Sequence, residues 1–574
     1  MNIVSQQAKQ EMEECKKRAR AAGLEFQDNT LEYIVTNQDM LELSPKVMVP
    51  SLYDYWVHDV EVIRNKWMYD AFPHNPYETV INTRPPISFY NQDNADWFNV
   101  MIFYHVLGHI HLFQNNVFFR KTWDDDFYGQ ALADKRLINS IREELGAKKR
   151  WVDYVIEFAL AIDNLVGYHK ELEEGDKAEK PEAFGFFSQK LDFYFGQFLK
   201  ERYDTKAVEA KFYYDEVERY NRCVREHGEQ KGESAFFEGD FFRGRFPEFN
   251  ETFRKWKEKR KPKPRDIFEH LLEHSEFLQK EENEWMKDVI GVIRRTSLYF
   301  QPQIRTKILH EGWASLWHER LYIADERMRT RETDYSKVNA WVTSIPRFGI
   351  NPYASGKLLL LFIEDLARKG KLSRDYQLLR GIQERKDYDK NFGEAHGKRA
   401  LFEAGKYLND YLLVNFLSDE DFQDFVDQNK LWIAGVRPSN TRWDIAEIYI
   451  KSKSGKEYRE RLNRMLYHPP NIDFVSQAKA QGGELYLDHI YEGRSLLRRF
   501  IPTVLIGLEF FWGKRATLET TEYEEVRSND WREWWRDRFN PKYKKIRVLY
   551  TCENKRVTRK VIDPLPASVH DYDD

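Results

Sequence analysis

Two histidines, His105 and His109, stand four residues apart in the apolar segment HVLGH. Residues i and i+4 share one face of a helix, so both imidazoles can address one point. A helix that supplies two metal ligands uses this spacing. Val106 follows the first histidine, so the general-base glutamate of an HExxH helix is missing. His111 falls on a different face. A second polar group lies in HEGWASLWHE, which carries His310, Glu311, His318 and Glu319. Glu311 and His318 are seven apart and lie on nearly one face, two turns away from each other. If the two helices pack together, His105, His109 and Glu311 can hold one divalent metal ion, zinc being the expected one. Such a set leaves a coordination position open for water, as catalytic zinc sites require. Glu311 and His318 are then the catalytic candidates, His318 as an acid/base or a fourth ligand.

The same residues admit another reading, a buried polar network that fixes helix packing. Gly108 and Gly312 sit beside the polar residues, and glycine inside a helix costs about 1 kcal/mol against alanine. Either a neighbouring backbone or ligand comes close there, or the helix kinks. Further candidates would bond to the ligands from outside: Glu273 and His274 in an EHS triplet, His310, and Asn91 and Asp93 in the loop-like NQDN. Asx residues also make turns and caps.

These residues need helices to position them. DWFNVMIFYHVLGHIHLFQNNVFF reads as a long buried helix capped by Asn94 or Asp96. Residues 151–169 and 200–228 read as helices, and 266–300 as two helices or one bent one. A further helix is expected from about Gln303 to Arg327. The Pro-punctuated stretch from about residue 25 to Pro86 reads as loops and short helices. FRKWKEKRKPKPRD (253–266) reads as a linker. GINPYASG (349–356) is turn-rich and leads into another helix, and helical patterns continue to about Leu417. Beyond Asp444 the texture changes. GELYLDHIYEGR and KYKKIRVLYTCENKRVTRKVI are strand-like, with a hairpin turn at Thr551–Lys555. The helix RSLLRRFIPTVLIGLEFFWG lies between them. The expected fold is a mainly α N-terminal domain, 1–435, followed by a small α+β C-terminal domain, 436–574.

Composition narrows the function classes. The chain has 574 residues, 90 Lys+Arg against 94 Asp+Glu, and a net charge of -4. No global field favours nucleic acid. Basic and aromatic residues interleave at RKWKEKRKPKPR and WREWWRDRF, but acidic residues interrupt both, so a nucleic-acid partner is not expected. The mean hydropathy of -0.73 and the lack of a long apolar run argue against a membrane protein. The polar start MNIVSQQAKQEMEECKKRAR shows no signal peptide, and the cytoplasm is the expected location. Cys15, Cys223 and Cys552 form no CxxC pair, which excludes a disulfide framework and a Cys-rich zinc site. A GxSxG elbow, a Walker A loop and a GxGxxG before a helix are all missing.

Five motifs in order resemble the SpoVR family (stage V sporulation protein R-like). They are FYNQDNADWF at 89–98, HVLGH…FQNN at 105–116, EHS at 273–275, YFQPQIRTKILHEGWASLWH at 299–318, and NPYASG at 351–356. GELYLDHIYEGR at 483–494 is similar to the family's C-terminal domain. Two positions depart from the family pattern: His310 stands where Asn is frequent, and Gln114 where Lys is common. The resemblance implies a bacterial role in sporulation, in spore cortex formation, or in stress. Joined to the His/Glu cluster, it implies a metal-dependent hydrolase acting on a peptide or amide bond of a cell-wall precursor. The alternative is a non-catalytic scaffold or regulatory protein that binds an unknown protein partner.

Overall fold

A helix that is apolar all round must be buried all round. The structure, a computed structural model, describes residues 2–3, 6–27, 29–36, 78–119, 127–166, 189–199, 208–259, 266–438, 446–466, 469–474, 483–525 and 543–562. In it Asp96–Asn115 forms helix α1, and every residue from Val100 to Phe113 is buried. The expected cap differs. Ala95 occupies the cap position and makes no side-chain cap bond. Asn94 instead donates from Nδ2 to Asn99 Oδ1 at 3.2 Å. Asp96 lies inside the first turn, where its charge suits the helix dipole.

The expected helix from Gln303 to Arg327 is two helices. Glu284–Arg305 ends at Thr306, and α2, Lys307–Ala324, begins immediately. Pro302 in the last turn of the first helix carries no N–H, and the Thr306 hydroxyl donates to its carbonyl at 2.7 Å. Asp410 then receives the N–H groups of Ile308 at 3.0 Å and Leu309 at 2.9 Å, which satisfies the start of α2. Helix α3, Glu332–Val342, and helix α4, Pro352–Arg368, follow. Asn351 caps α4 by accepting from the N–H groups of Tyr353 and Ala354, with Pro352 in the first turn.

The two glycines mark places where backbones meet, not kinks. A Cβ on Gly108 would stand 2.9 Å from Ala314 Cα. One on Gly312 would stand 2.3 Å from the carbonyl carbon of Gly356. So α2 touches α1 on one side and α4 on the other, backbone against backbone. Trp313, Leu316, Leu309, Leu107, Leu359 and Leu360 fill the shared core around these crossings.

The stretch expected as loops and short helices contains strands. β1 (Asn2–Ile3), β2 (Leu31–Val35), β3 (Glu78–Ile81) and β4 (Ile87–Asn91) form a sheet in the order β1-β2-β4-β3, with β2 and β4 parallel. LEYIV and ISFYN are short and rich in branched and aromatic residues, which suits a pleated strand, and ISFYN is buried throughout, but five residues show little periodicity. Pro50, Pro73 and Pro76 lie outside the described residues. Asn91, expected in a loop, is the last residue of β4 and leads directly to α1.

After the helices comes the α+β part. β5 (Ile433–Pro438) pairs with β6 (Ala446–Ser452). β7 (Asn471–Asp473), β8 (Leu485–Ile490), β9 (Ala516–Glu525), β10 (Tyr543–Glu553) and β11 (Arg556–Ile562) form a sheet in the order β11-β10-β9-β8-β7. β8 and β9 are parallel, and helix Ile501–Trp512 makes the crossover between them. The expected hairpin turn is at Asn554 and Lys555, whose φ values of 53° and 61° are those of a type I′ turn. The helical N-terminal part and the small α+β C-terminal part are therefore both present.

By internal packing the chain forms two compact units, Met1–Tyr168 with Leu271–Asp574, and His169–His270. Residue 435 lies inside the first. The second has an aromatic core of Tyr194, Phe236, Phe242 and Phe249. Its Arg219 lies over the Phe236 ring at 3.7 Å and bonds Glu216 at 2.8 Å. Phe253–Lys259, expected as linker, belongs to helix Phe249–Lys259, and 260–265 lie outside the described residues. WREWWRDRF (531–539) also lies outside them. Among the described residues, no helix is long and apolar enough to cross a membrane.

Candidate metal centre

The crossing of α1 and α2 at Gly108 and Ala314 brings the two sequence groups face to face. Glu311 Oε2 lies 3.6 Å from His105 Nε2 and 3.7 Å from His109 Nε2. The three ligand atoms all fall within 4.8 Å of one another. Two ligands held tetrahedrally at about 2.1 Å from one zinc ion stand about 3.4 Å apart, so the spacing fits a shared ion. Glu311 Oε2 is buried and has no hydrogen-bond partner. A buried carboxylate oxygen without a donor is costly, and a cation between the three groups would relieve that cost.

Electrostatics favour neutral imidazoles here. Burial pushes His105 down to about 3, against a backbone hydrogen bond to Ala314 that acts the other way. His109 also falls to about 3, through burial first and then the neighbouring His105, with Glu311 opposing. A neutral imidazole has a free lone pair, which is the form that binds metal.

The remaining two histidines back the first two. His318, fully buried, places Nδ1 2.9 Å from His105 Nδ1 and Nε2 3.1 Å from Asn339 Oδ1. Burial, then His105, holds His318 down to about 3. His310 places Nδ1 3.1 Å from His109 Nδ1. Its ring sits between Phe113 at 4.7 Å and Phe119 at 5.1 Å, and burial keeps it well below the usual histidine range. Tyr353 of the NPYASG segment stacks on His105 with centroids 6.0 Å apart.

The structure does not bring every candidate to this point. Glu273 and His274 are exposed at the end of helix Ile267–His274 and face each other at 4.0 Å. Their neighbour Ser275 is buried and donates to the Phe511 carbonyl at 2.7 Å. Asn91 is buried and accepts from the Asp93 N–H at 3.0 Å, an Asx turn that joins β4 to α1. Asp93 itself is exposed. His111, on its different face, accepts from the Glu25 N–H at 2.9 Å and stacks on Trp313 at 5.3 Å.

Four residues not singled out from sequence, or not given a role, matter in the geometry. Asn339 of α3 donates from Nδ2 to Glu319 Oε2 at 2.6 Å. Lys357 of α4 ion-pairs with the same carboxylate. Burial alone would raise the Glu319 pKa, but its bonds to Lys357 and Asn339 hold it below the usual range. Asp410, at the start of α2, is pushed up to about 7 by burial, against the backbone N–H groups of Ile308, Leu309 and Lys307. No spacing rule links residues 20 to 100 positions apart, so none of these pairings had a local signal.

The family model described as SpoVR like protein matches residues 3–467. The uncharacterized protein YcgB of Escherichia coli (strain K12) is similar to this chain, 23% identical over 509 residues, which cover 85% of this chain and 86% of that protein. No solved structure matches the chain.

Proposed function

This chain belongs to the SpoVR family, and we propose that it is a divalent-metal hydrolase. His105, His109 and Glu311 would hold the ion, and zinc suits two imidazoles with one carboxylate. The substrate class we put forward is a peptide or amide bond of a cell-wall precursor, in keeping with the sporulation association that the family resemblance implies. One observation carries the reading: a buried Glu311 oxygen without a donor faces two neutral imidazoles at 3.6 and 3.7 Å. The chemistry an ion supplies in such a site is Lewis-acid polarisation of a carbonyl and acidification of water. The chain's own residues supply the rest. His105 and His109 offer lone pairs, Glu311 offers negative charge, and Phe113 and Phe119 keep water from the His310 side.

The test is elemental analysis of protein purified without a metal-binding tag or chelator, beside His109→Ala. Near-stoichiometric zinc that disappears in the variant supports the site. New amino groups released from peptidoglycan peptides by the wild type, and not by the variant, support the hydrolase. A metal-free wild-type protein that is folded and inert would leave the cluster as a packing network in a partner-binding protein.

A further inference from the structure

A chain of polar contacts runs from the part-buried Lys357 of α4 to the buried face of His105, and its direction is fixed by chemistry. Lys357 Nζ ion-pairs with Glu319, so that carboxylate can only accept. Asn339 must therefore turn its amide nitrogen to Glu319, which it meets at 2.6 Å. The amide oxygen is left facing His318 Nε2 at 3.1 Å. An amide oxygen has no hydrogen to give, so His318 must carry its proton on Nε2. Its Nδ1 is then a bare acceptor, 2.9 Å from His105 Nδ1. His105 must in turn carry its proton on Nδ1. The lone pair of His105 is thereby placed on Nε2, the atom 3.6 Å from Glu311 Oε2. The 180° flip of Asn339 would set its oxygen against the Glu319 carboxylate, acceptor against acceptor.

We propose that Lys357, Glu319, Asn339 and His318 are positioning residues that, beside the Ala314 backbone bond to the same ring, bias His105 toward the Nδ1–H tautomer, with its Nε2 lone pair aimed at the ligand site. His318 on this account is neither a metal ligand nor an acid/base group, since both its nitrogens are engaged. Asn339 is the element that sets the direction, because its donor and acceptor atoms are chemically fixed, whereas each imidazole can exchange which nitrogen carries the proton. The relay gives the proposed metal site of the preceding section a built-in orientation and to that extent rests on it. Partners that bond a ligand from behind typically change metal affinity 10–100-fold when removed.

The tautomer can be read without metal. Histidine-labelled apoprotein gives two-bond nitrogen–proton spectra in which Nδ1–H and Nε2–H forms differ, with His105→Gln to assign the signal. The expected result is an Nδ1–H His105 in the wild type and a shift toward the Nε2–H form in Asn339→Leu, with the His111 signal unmoved. Lys357→Met, at the far end of the relay, should shift it the same way by less, and it serves if Asn339→Leu does not fold. An Nε2–H His105 in the wild type, or a tautomer indifferent to both variants, overturns the proposal. Cobalt(II) titration separates the two ideas. A wild type that binds no cobalt but shows the expected tautomer sinks the metal reading and keeps the relay. Cobalt binding 10–100-fold weaker in Asn339→Leu supports the relay's role, and binding unchanged within twofold overturns it.

Discussion

The Glu311 carboxylate and the His105 imidazole face each other across 3.6 Å, from helices whose sequences are some two hundred residues apart. That gap is too wide for a hydrogen bond and close to the separation of two ligands on one ion. Glu311→Gln keeps the shape and removes the charge. Its expected outcome is loss of bound metal, because a neutral amide is a poor ligand, with little change in thermal stability, because the position of the donor-less Oε2 no longer carries charge. Elemental analysis and a melting curve on the same sample check it.

His111 offers the matching control. It bonds the Glu25 backbone and stacks on Trp313, away from the ligand atoms. His111→Ala should lower stability by about 2–4 kcal/mol, as loss of a buried, hydrogen-bonded ring does. Metal content per folded molecule should stay unchanged. A fall in metal that tracks His111 and not His109 would move the site.

Two glycines at a backbone crossing and one away from it should respond to alanine with opposite signs. Gly312→Ala puts a methyl 2.3 Å from Gly356, and Gly356→Ala puts one 1.9 Å from the Ile308 carbonyl oxygen. Backbone cannot rotate away, so each should cost at least the 1–3 kcal/mol or so of an overpacked core. Gly291→Ala, in helix Glu284–Arg305, meets only the end of the Arg295 side chain at 3.5 Å. It should stabilise by up to about 1 kcal/mol through helix propensity. Urea unfolding of the three variants measures all of this.

Acid should unfold the metal-free protein early. His105, His109 and His318 are held down to about 3, and His111 to about 4, from an ordinary 6.5, all chiefly by burial. Between pH 6.5 and 3 the unfolded chain binds protons that the folded chain refuses, so these groups withdraw stability as pH falls through that window. Asp410 acts with the opposite sign. Its carboxyl is raised to about 7 from 3.8, so the folded chain takes up a proton first, and this group adds stability as pH falls from 7 to 3.8. The histidines outnumber it, so stability should fall overall. Asp410→Asn removes the opposing group, and its stability should fall more steeply over the same window. Urea midpoints at a series of pH values distinguish the two curves.

The sequence by itself determined the residue types and the local periods. The four-residue spacing of His105 and His109 fixes them on one face because a helix turns every 3.6 residues. The long apolar run around them, interrupted by His and Asn, requires burial. The stretch Thr551–Lys555 between strand-like runs announces a hairpin turn, and the turn-rich GINPYASG (349–356) announces the helix that follows it. These follow from sterics and hydrogen bonding within a few residues of chain. Short strands such as ISFYN were not legible, since five residues carry too little period to separate pleat from loop. Tertiary structure alone decided that α1 meets α2 at Gly108 and Ala314, and so that Glu311 faces His105. It also decided that Glu273 and His274 stay on the surface while Asn339 and Lys357 reach inward to bond His318 and Glu319. Such pairings depend on which helix faces fit together in one packed core. That is a property of the summed shapes of distant segments, and no local pattern contains it.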